Sequence, residues 1–201
     1  MGRWGSRLFE SDLDLDIAGD IEALCGEDIN NLNLNLEVLL YRTRDDEHTK
    51  NVTELRNKLD SNDLGQTLLS RWRAKESEWG KYHVIIVGAL LMSAGAKIKE
   101  SEMQYLRETA NQVTWVPDFA LPIFDPGFRG PGKAQFLAAL DHYQPGVPRD
   151  FDEPSCFYCG KVEVDIGKAL TECGTCKMAW YCDKDCQATR WNDHKSNCTR
   201  A

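Results

Sequence analysis

Eight residues near the C-terminal end of this 201-residue chain have the types and spacing of metal donors: Cys156-x2-Cys159, Cys173-x2-Cys176, Cys182-x3-Cys186 and His194-x3-Cys198. A Cys-x-x-Cys turn brings two thiolates to the ~2.3 Å zinc–sulfur distance while neighbouring amides face the sulfurs. Eight donors suffice for two complete tetrahedral shells. Trp191, His194 and Cys198 are spaced i, i+3, i+7. On one helix they would share a face, with His194 and Cys198 one turn apart. A disulfide cluster suits a secreted protein, but Met1-Gly2-Arg3-Trp4-Gly5 opens no apolar signal segment. A thioredoxin-like pair would use two cysteines and leave the rest unexplained. A RING arrangement wants a central Cys-x-His pair, whereas His194 is the seventh donor in order.

The string Ala179-Trp180-Tyr181-Cys182-Asp183-Lys184-Asp185-Cys186-Gln187, followed by Trp191, His194 and Cys198, resembles the MYND zinc finger. The resemblance covers about the last quarter of the chain. One departure is the thirteen-residue interval between Cys159 and Cys173, long for the family, which implies a larger loop without changing the donors. The resemblance implies an interleaved, cross-braced pairing. One zinc would take Cys156, Cys159, Cys182 and Cys186; the other would take Cys173, Cys176, His194 and Cys198. It also implies docking of short proline-containing peptides, with Gln187 and Trp191 at peptide-contacting positions, although Trp191 could equally pack the zinc fold. Both shells are full, and a shell without an open position points to a structural metal, not a catalytic one. The layout as a whole resembles small fungal MYND-domain proteins. Trp4-Gly5, Phe9-Glu10, Asp12 and Leu15-Asp16 resemble the opening of a family of small, mainly helical proteins. Trp4 and Phe9 are expected as core anchors or as part of a binding surface.

The remaining sequence must position this module. The expected fold class is mainly α: a helical N-terminal domain over residues 1–112, a Pro/Gly/aromatic-rich connecting segment over 113–154, and the zinc finger over 155–201. Apolar stripes at helical spacing carry the first part. They run Ile17, Ile21 and Leu24; Val52, Leu55 and Leu59; Leu64, Leu68, Leu69, Trp72 and Trp79; and Met103, Leu106, Ala110 and Val113. Tyr82 to Ala96 is apolar nearly all round, as a buried central helix would be. Ser11 is placed to cap the first helix, with Asp14 three residues on. Asp12, Asp14, Asp16 and Asp20 imitate a calcium loop, but Ile17 and Ala23 stand where such a loop needs Gly and Glu. They read as a solvated acidic face at a helix N-terminus.

All seven prolines lie between Pro117 and Pro154. The run Pro126 to Gly132 reads as loop, and a short helix is expected over about Ala134 to Tyr143. Phe119, Phe124, Phe128 and Phe136 could pack this segment on the helices. Pro122-Ile123-Phe124-Asp125-Pro126 has the spacing of the family's peptide ligand, so it could fold back on its own finger.

Net charge is −8. Residues 1–155 carry 17 Lys/Arg and 26 Asp/Glu; residues 156–201 carry 7 and 6. Two zinc ions on seven thiolates and a histidine would leave the finger near −2, which points away from a phosphate-binding surface. The longest apolar stretch, Val84 to Met92, is far short of the ~20 residues that span a bilayer. An intracellular protein, cytoplasmic or nuclear, is expected, with no nucleic-acid or membrane partner. His48, His83 and His142 stand apart from any nucleophile, and neither a phosphate loop nor a SET-like signature is seen. The expectation is therefore a zinc-binding interaction adaptor and not an enzyme; the alternatives are a MYND-associated methyltransferase-like enzyme or a transcriptional regulator acting through protein partners. Cys25 reads as a buried apolar residue.

Overall fold

A central helix that is apolar on every face can only be stable when other helices surround it. In the computed structural model, which describes residues 2–28, 34–43, 45–74, 78–116 and 127–198, that helix is Glu78–Ala94 (α5). Around it lie Asp12–Asp28 (α1), Glu37–Leu40 (α2), Asp46–Asp60 (α3), Leu64–Arg73 (α4) and Glu100–Gln112 (α6). Tyr82, Ile85, Ile86, Ala89 and Met92 of α5 are fully buried. Ile17 and Ile21, then Val52, Leu55 and Leu59, then Leu64, Leu68, Leu69 and Trp72, then Met103, Leu106 and Ala110 pack on it from four sides. The fold is mainly α, as the stripes require. The Trp79 side chain lies outside the described residues. Cys25 is fully buried, and burial pushes its thiol up to about 11.

The end of α5 shows why its sequence stops where it does. Gly95 adopts φ +72° and the Ala96 amide reaches back to the Leu91 carbonyl at 3.0 Å. That six-to-one bond is the Schellman ending that favours glycine. The Gly146 amide then donates to Gly95 and the Arg149 amide to Met92, at 2.8 and 2.9 Å. The segment after residue 142 is thus laced to the end of the central helix.

At the N-terminal end one expectation is corrected, and of the two readings open for Trp4 the core anchor is excluded. Ser11 caps α1 as its position implies, accepting from the Asp14 amide at 3.1 Å. Asp14, however, is fully buried and is not part of a solvated face. Its carboxylate accepts from the Tyr82 hydroxyl at 2.7 Å and from the Phe9 amide at 2.9 Å. Burial raises its pKa, while Arg3 and these hydrogen bonds pull it down. The second bond fixes Phe9 in the left-handed region at φ 64°, and Phe9 joins the core against Phe151 with ring centroids 5.8 Å apart. Trp4 does not: it is 58% exposed. Asp14→Ala removes the acceptor shared by a buried hydroxyl and a buried amide and is expected to cost about 3 kcal/mol, since hydrogen bonds to a charged group contribute ~1.5–3 kcal/mol each. Urea unfolding of the full chain measures it.

The segment after α6 is folded onto the same core. Trp115–Val116 (β1) pairs in parallel with Phe128–Arg129 (β2), and Gly130–His142 (α7) follows. Phe128 and Phe136 are fully buried beside Tyr82. The helix begins four residues before the expected Ala134, so Gly130 to Gly132 are helix and not loop. Pro131 sits in the first turn, where its missing N–H is no loss and its fixed φ suits the helix. Phe119, Phe124 and the Pro122–Pro126 stretch lie outside the described residues. Buried Gln135 ties three strands of chain together: it accepts from the Leu8 amide at 3.2 Å and donates to the Phe151 carbonyl at 2.9 Å. Among the described residues no helix is long and apolar enough to cross a membrane.

Candidate metal centre

Residues from Cys156 onward form a second, small core of Cys156, Leu170, Cys173, Cys176, Ala179, Tyr181 and Cys182. Its frame is slight. Thr171–Glu172 (β3) pairs antiparallel with Trp180–Tyr181 (β4). Glu163–Ile166 (α8) is a single turn inside the long Cys159–Cys173 interval, and Lys184–His194 (α9) closes the module. The first knuckle is tied to β4, since the Phe157 amide donates to the Trp180 carbonyl at 2.8 Å. The second is closed by the Cys173 amide on the Ala179 carbonyl at 2.7 Å. Asp183 caps α9 by accepting from the Cys186 amide at 2.9 Å, which sets the third pair at the helix start.

These elements bring the eight donors into two groups. Cys156, Cys159, Cys182 and Cys186 form one; Cys173, Cys176, His194 and Cys198 form the other. Within each group the donor atoms all lie within 4.8 Å of one another. Cys159 and Cys182 sulfurs are 3.5 Å apart, Cys173 and Cys198 sulfurs 3.6 Å, and the Cys176 sulfur is 3.5 Å from His194 Nε2. A tetrahedron with ~2.3 Å zinc–sulfur and ~2.0 Å zinc–nitrogen bonds has edges of about 3.5–3.8 Å, so the donor sets fit two zinc ions. Two first-and-third, second-and-fourth pairings cross along the chain, which is the cross-braced arrangement. Cys198 reaches its group differently from the sequence expectation. The helix α9 ends at His194, and Cys198 arrives through a turn in which the Asn197 amide donates to the His194 carbonyl at 3.0 Å.

The field at the donors is uneven: Cys156 and Cys173 are drawn toward the thiolate, whereas the hydrogen bond with Cys156 raises Cys159 and burial raises Cys182, Cys186 and Cys198. A hydrogen bond from Cys159, with burial opposing and the amides of Cys159 and Cys182 assisting, lowers the Cys156 thiol to about 5. Burial pushes Cys173 up, but the amides of Cys176 and Thr175 and the His194 ring outweigh it and hold it at about 6. His194 is buried among Phe157, Tyr181 and Trp191, with ring centroids 6.4, 6.1 and 6.0 Å away. These rings fix the imidazole plane. Gln187, on the same helix, is half-buried, and Trp191 remains 42% exposed although one edge meets His194.

The finger is held against the helical core by contacts that motif spacing does not reveal. Gly160, at φ +74° behind the first knuckle, lies so close to α7 that a Cβ there would overlap the Ala134 carbonyl. The Arg190 guanidinium lies against Gly130 at the start of α7. Asp165 of α8 receives both guanidinium nitrogens of Arg149, at 2.7 and 2.6 Å, plus the Val162 amide at 3.0 Å. Both side chains of that pair are nearly buried, 9% and 3% exposed. Burial alone would raise the Asp165 carboxyl, but the Arg149 pair and the Val162 amide hold it below the usual carboxylate range. The long Cys159–Cys173 interval was the signal available in the sequence; its extra residues carry this latch.

Residues 156–198 match the family model of the MYND finger, so the C-terminal part of the chain is a MYND-type zinc finger, a two-zinc interaction module. A SET and MYND domain-containing protein of Dictyostelium discoideum is 42% identical over 45 residues, 21% of this chain and 8% of that protein. The N-lysine methyltransferases SMYD2-A of Danio rerio and SMYD2 of Homo sapiens are each 33% identical, over 81 and 85 residues. Each match takes in 36% of this chain and 18% of the relative. The chain thus spans less than a fifth of the length of these relatives. No solved structure matches it significantly.

Proposed function

We propose that the chain is a protein-binding adaptor in which Cys156, Cys159, Cys182 and Cys186 hold one structural zinc, and Cys173, Cys176, His194 and Cys198 the other. The peptide site is the surface of Gln187 and Trp191, and its ligands are short proline-containing segments of other proteins. One observation carries this reading: both donor groups are complete with four protein atoms each, which leaves no position for a substrate, while a large indole beside them stays exposed. Proline-rich ligands suit an aromatic surface because their restricted backbone loses little entropy on docking. The helices over 1–112, the connecting segment over 113–154 and the finger over 155–201 serve as carrier, brace and binding head. The two separate cores support a boundary near residue 155.

Calorimetric titration of the zinc-loaded full chain with a Pro-x-Leu-x-Pro peptide tests the proposal. Trp191→Ala is expected to weaken binding at least tenfold, the loss of about 1.4 kcal/mol or more typical of an aromatic anchor, with zinc content unchanged. Equal affinity would remove Trp191 from the site. The methyltransferase relatives favour a second reading, a part of a methyl-transferring enzyme. Micromolar binding of S-adenosylmethionine in the same calorimeter would select it.

A further inference from the structure

A second surface lies on the helical core, on elements that do not belong to the finger. Leu15, Gly19 and Ala23 recur at i, i+4 and i+8 along α1, on the side away from Ile17 and Ile21. Together with Leu40 and Tyr41 from the end of α2 they line a groove of about 500 Å³. Tyr41 is 60% exposed, and the space above Gly19 is open. Past Tyr41 and Glu37 the depression continues for about 320 Å³ between α2 and the start of α3.

Among the described residues that line this groove, the Asp, Glu, Lys and Arg side chains are all acidic. Glu22 and Glu37 line the first part, and Glu37, Asp45 and Glu47 the second, with no Lys or Arg among the described lining residues. Asp16 and Asp20 are exposed on the flank of the same stripe. Outside the core, the described side chains of α1 include the carboxylates of Asp12, Asp16, Asp20 and Glu22, and the helix has no Lys or Arg. With no cation in its last turn, the negative end of its dipole is uncompensated within the helix. Arg42, beside Tyr41, turns away: it donates to the Ser93 and Arg149 carbonyls at 3.1 and 2.6 Å. Lys50 on α3 faces Glu54 at 3.8 Å.

We propose that this groove is a second docking site, and that its occupant is a short, basic, amphipathic helix of a partner protein. The small residues of the α1 stripe let another helix approach closely, as small residues do at close helix crossings. From Leu15 to Ala23 the floor extends about 12 Å, at ~1.5 Å per residue, the length of two to three helical turns. Apolar side chains of the ligand at i, i+3 and i+4 would seat between α1 and α2. Its lysines or arginines would face Glu22, Glu37 and the Asp16–Asp20 flank, where opposite potential raises the association rate and fixes orientation. The chain would then join two partners, one at the finger and one here.

The test uses the full zinc-loaded chain and two fluorescein-labelled synthetic peptides of identical Leu/Lys composition. One is ordered as an amphipathic helix, the other scrambled to remove the stripe. The account predicts saturable binding of the ordered peptide, at least tenfold weaker binding of the scrambled one, and affinity that falls as salt rises. Gly19→Phe fills the groove and Glu37→Lys reverses its rim; both positions are exposed, and unchanged circular dichroism checks each fold. Each variant is expected to lose at least tenfold. Equal binding of the two peptides, or undiminished binding by both variants, would overturn the proposal. A concentration-dependent dimer abolished by Gly19→Phe would also overturn it, by assigning the groove to a second copy of the chain.

Discussion

Stripping the metal with a chelator, or replacing His194 by Ala, is expected to unfold the finger and leave the helical core standing. The module's core is built largely from cysteines; among the described residues Leu170, Ala179 and Tyr181 are its buried apolar partners, with Phe157, Ile166 and Trp180 partly buried against them. That is too little apolar surface to hold so short a segment without staples. Zinc supplies the difference, and the ~10–16 kcal/mol of binding free energy seen in zinc-finger peptides is at the same time folding free energy. The larger core owes nothing to the donors: its packing around α5 involves none of them. Amide NMR spectra of the treated full chain should lose the dispersed signals of residues 156–198 and keep those of Tyr82 to Ala96. Collapse of both sets would show that the two cores do not fold separately.

Arg149→Ala is expected to have the next largest effect. It strands the Asp165 carboxylate, 3% exposed, between the finger and the helical core. Removing one partner of a buried ion pair costs about 3–5 kcal/mol, because the remaining charge stays desolvated. The loss falls on docking: calorimetric unfolding should separate the finger's transition from that of the helices, with zinc still bound. Arg149→Lys keeps the charge but not the two parallel bonds, and should recover only part. The pair also sets an acid dependence. Asp165 is held below its unfolded value of ~3.9. Its contribution is therefore fully present above that pH and is lost as pH falls through the folded value. A single transition at unchanged temperature in Arg149→Ala would show that the latch does not couple the two parts.

What was legible in the sequence was whatever repeats or follows local chemistry. Val52, Leu55 and Leu59 recur at helical spacing and are buried; Ser11 has a cap's side chain and caps. The eight donors were legible because a tetrahedral shell restricts both residue type and spacing. Long-range pairing was not. Asp14 reads as one of four surface aspartates because its partner, Tyr82, lies 68 residues away. Nothing local distinguishes it from exposed Asp16. Trp4 looks like an anchor by type, but anchoring falls to Phe9, whose backbone the Asp14 carboxylate fixes. Gly130-Pro131-Gly132 has the composition of a loop, yet a first helical turn tolerates Pro, and Arg190 lies against that turn. Arg149 and Asp165 are ordinary charges until the fold places them together.

The claim on which the rest depends is that both zinc shells are closed by protein donors. Metal analysis with zinc X-ray absorption, on the full chain purified without chelator, tests it most directly. The account predicts two zinc ions per chain and an average environment of seven sulfurs and one nitrogen shared over two tetrahedral sites, with no oxygen donor. One zinc per chain, or an oxygen in the first coordination sphere, would contradict it, the second by revealing an open position of the kind a catalytic metal keeps.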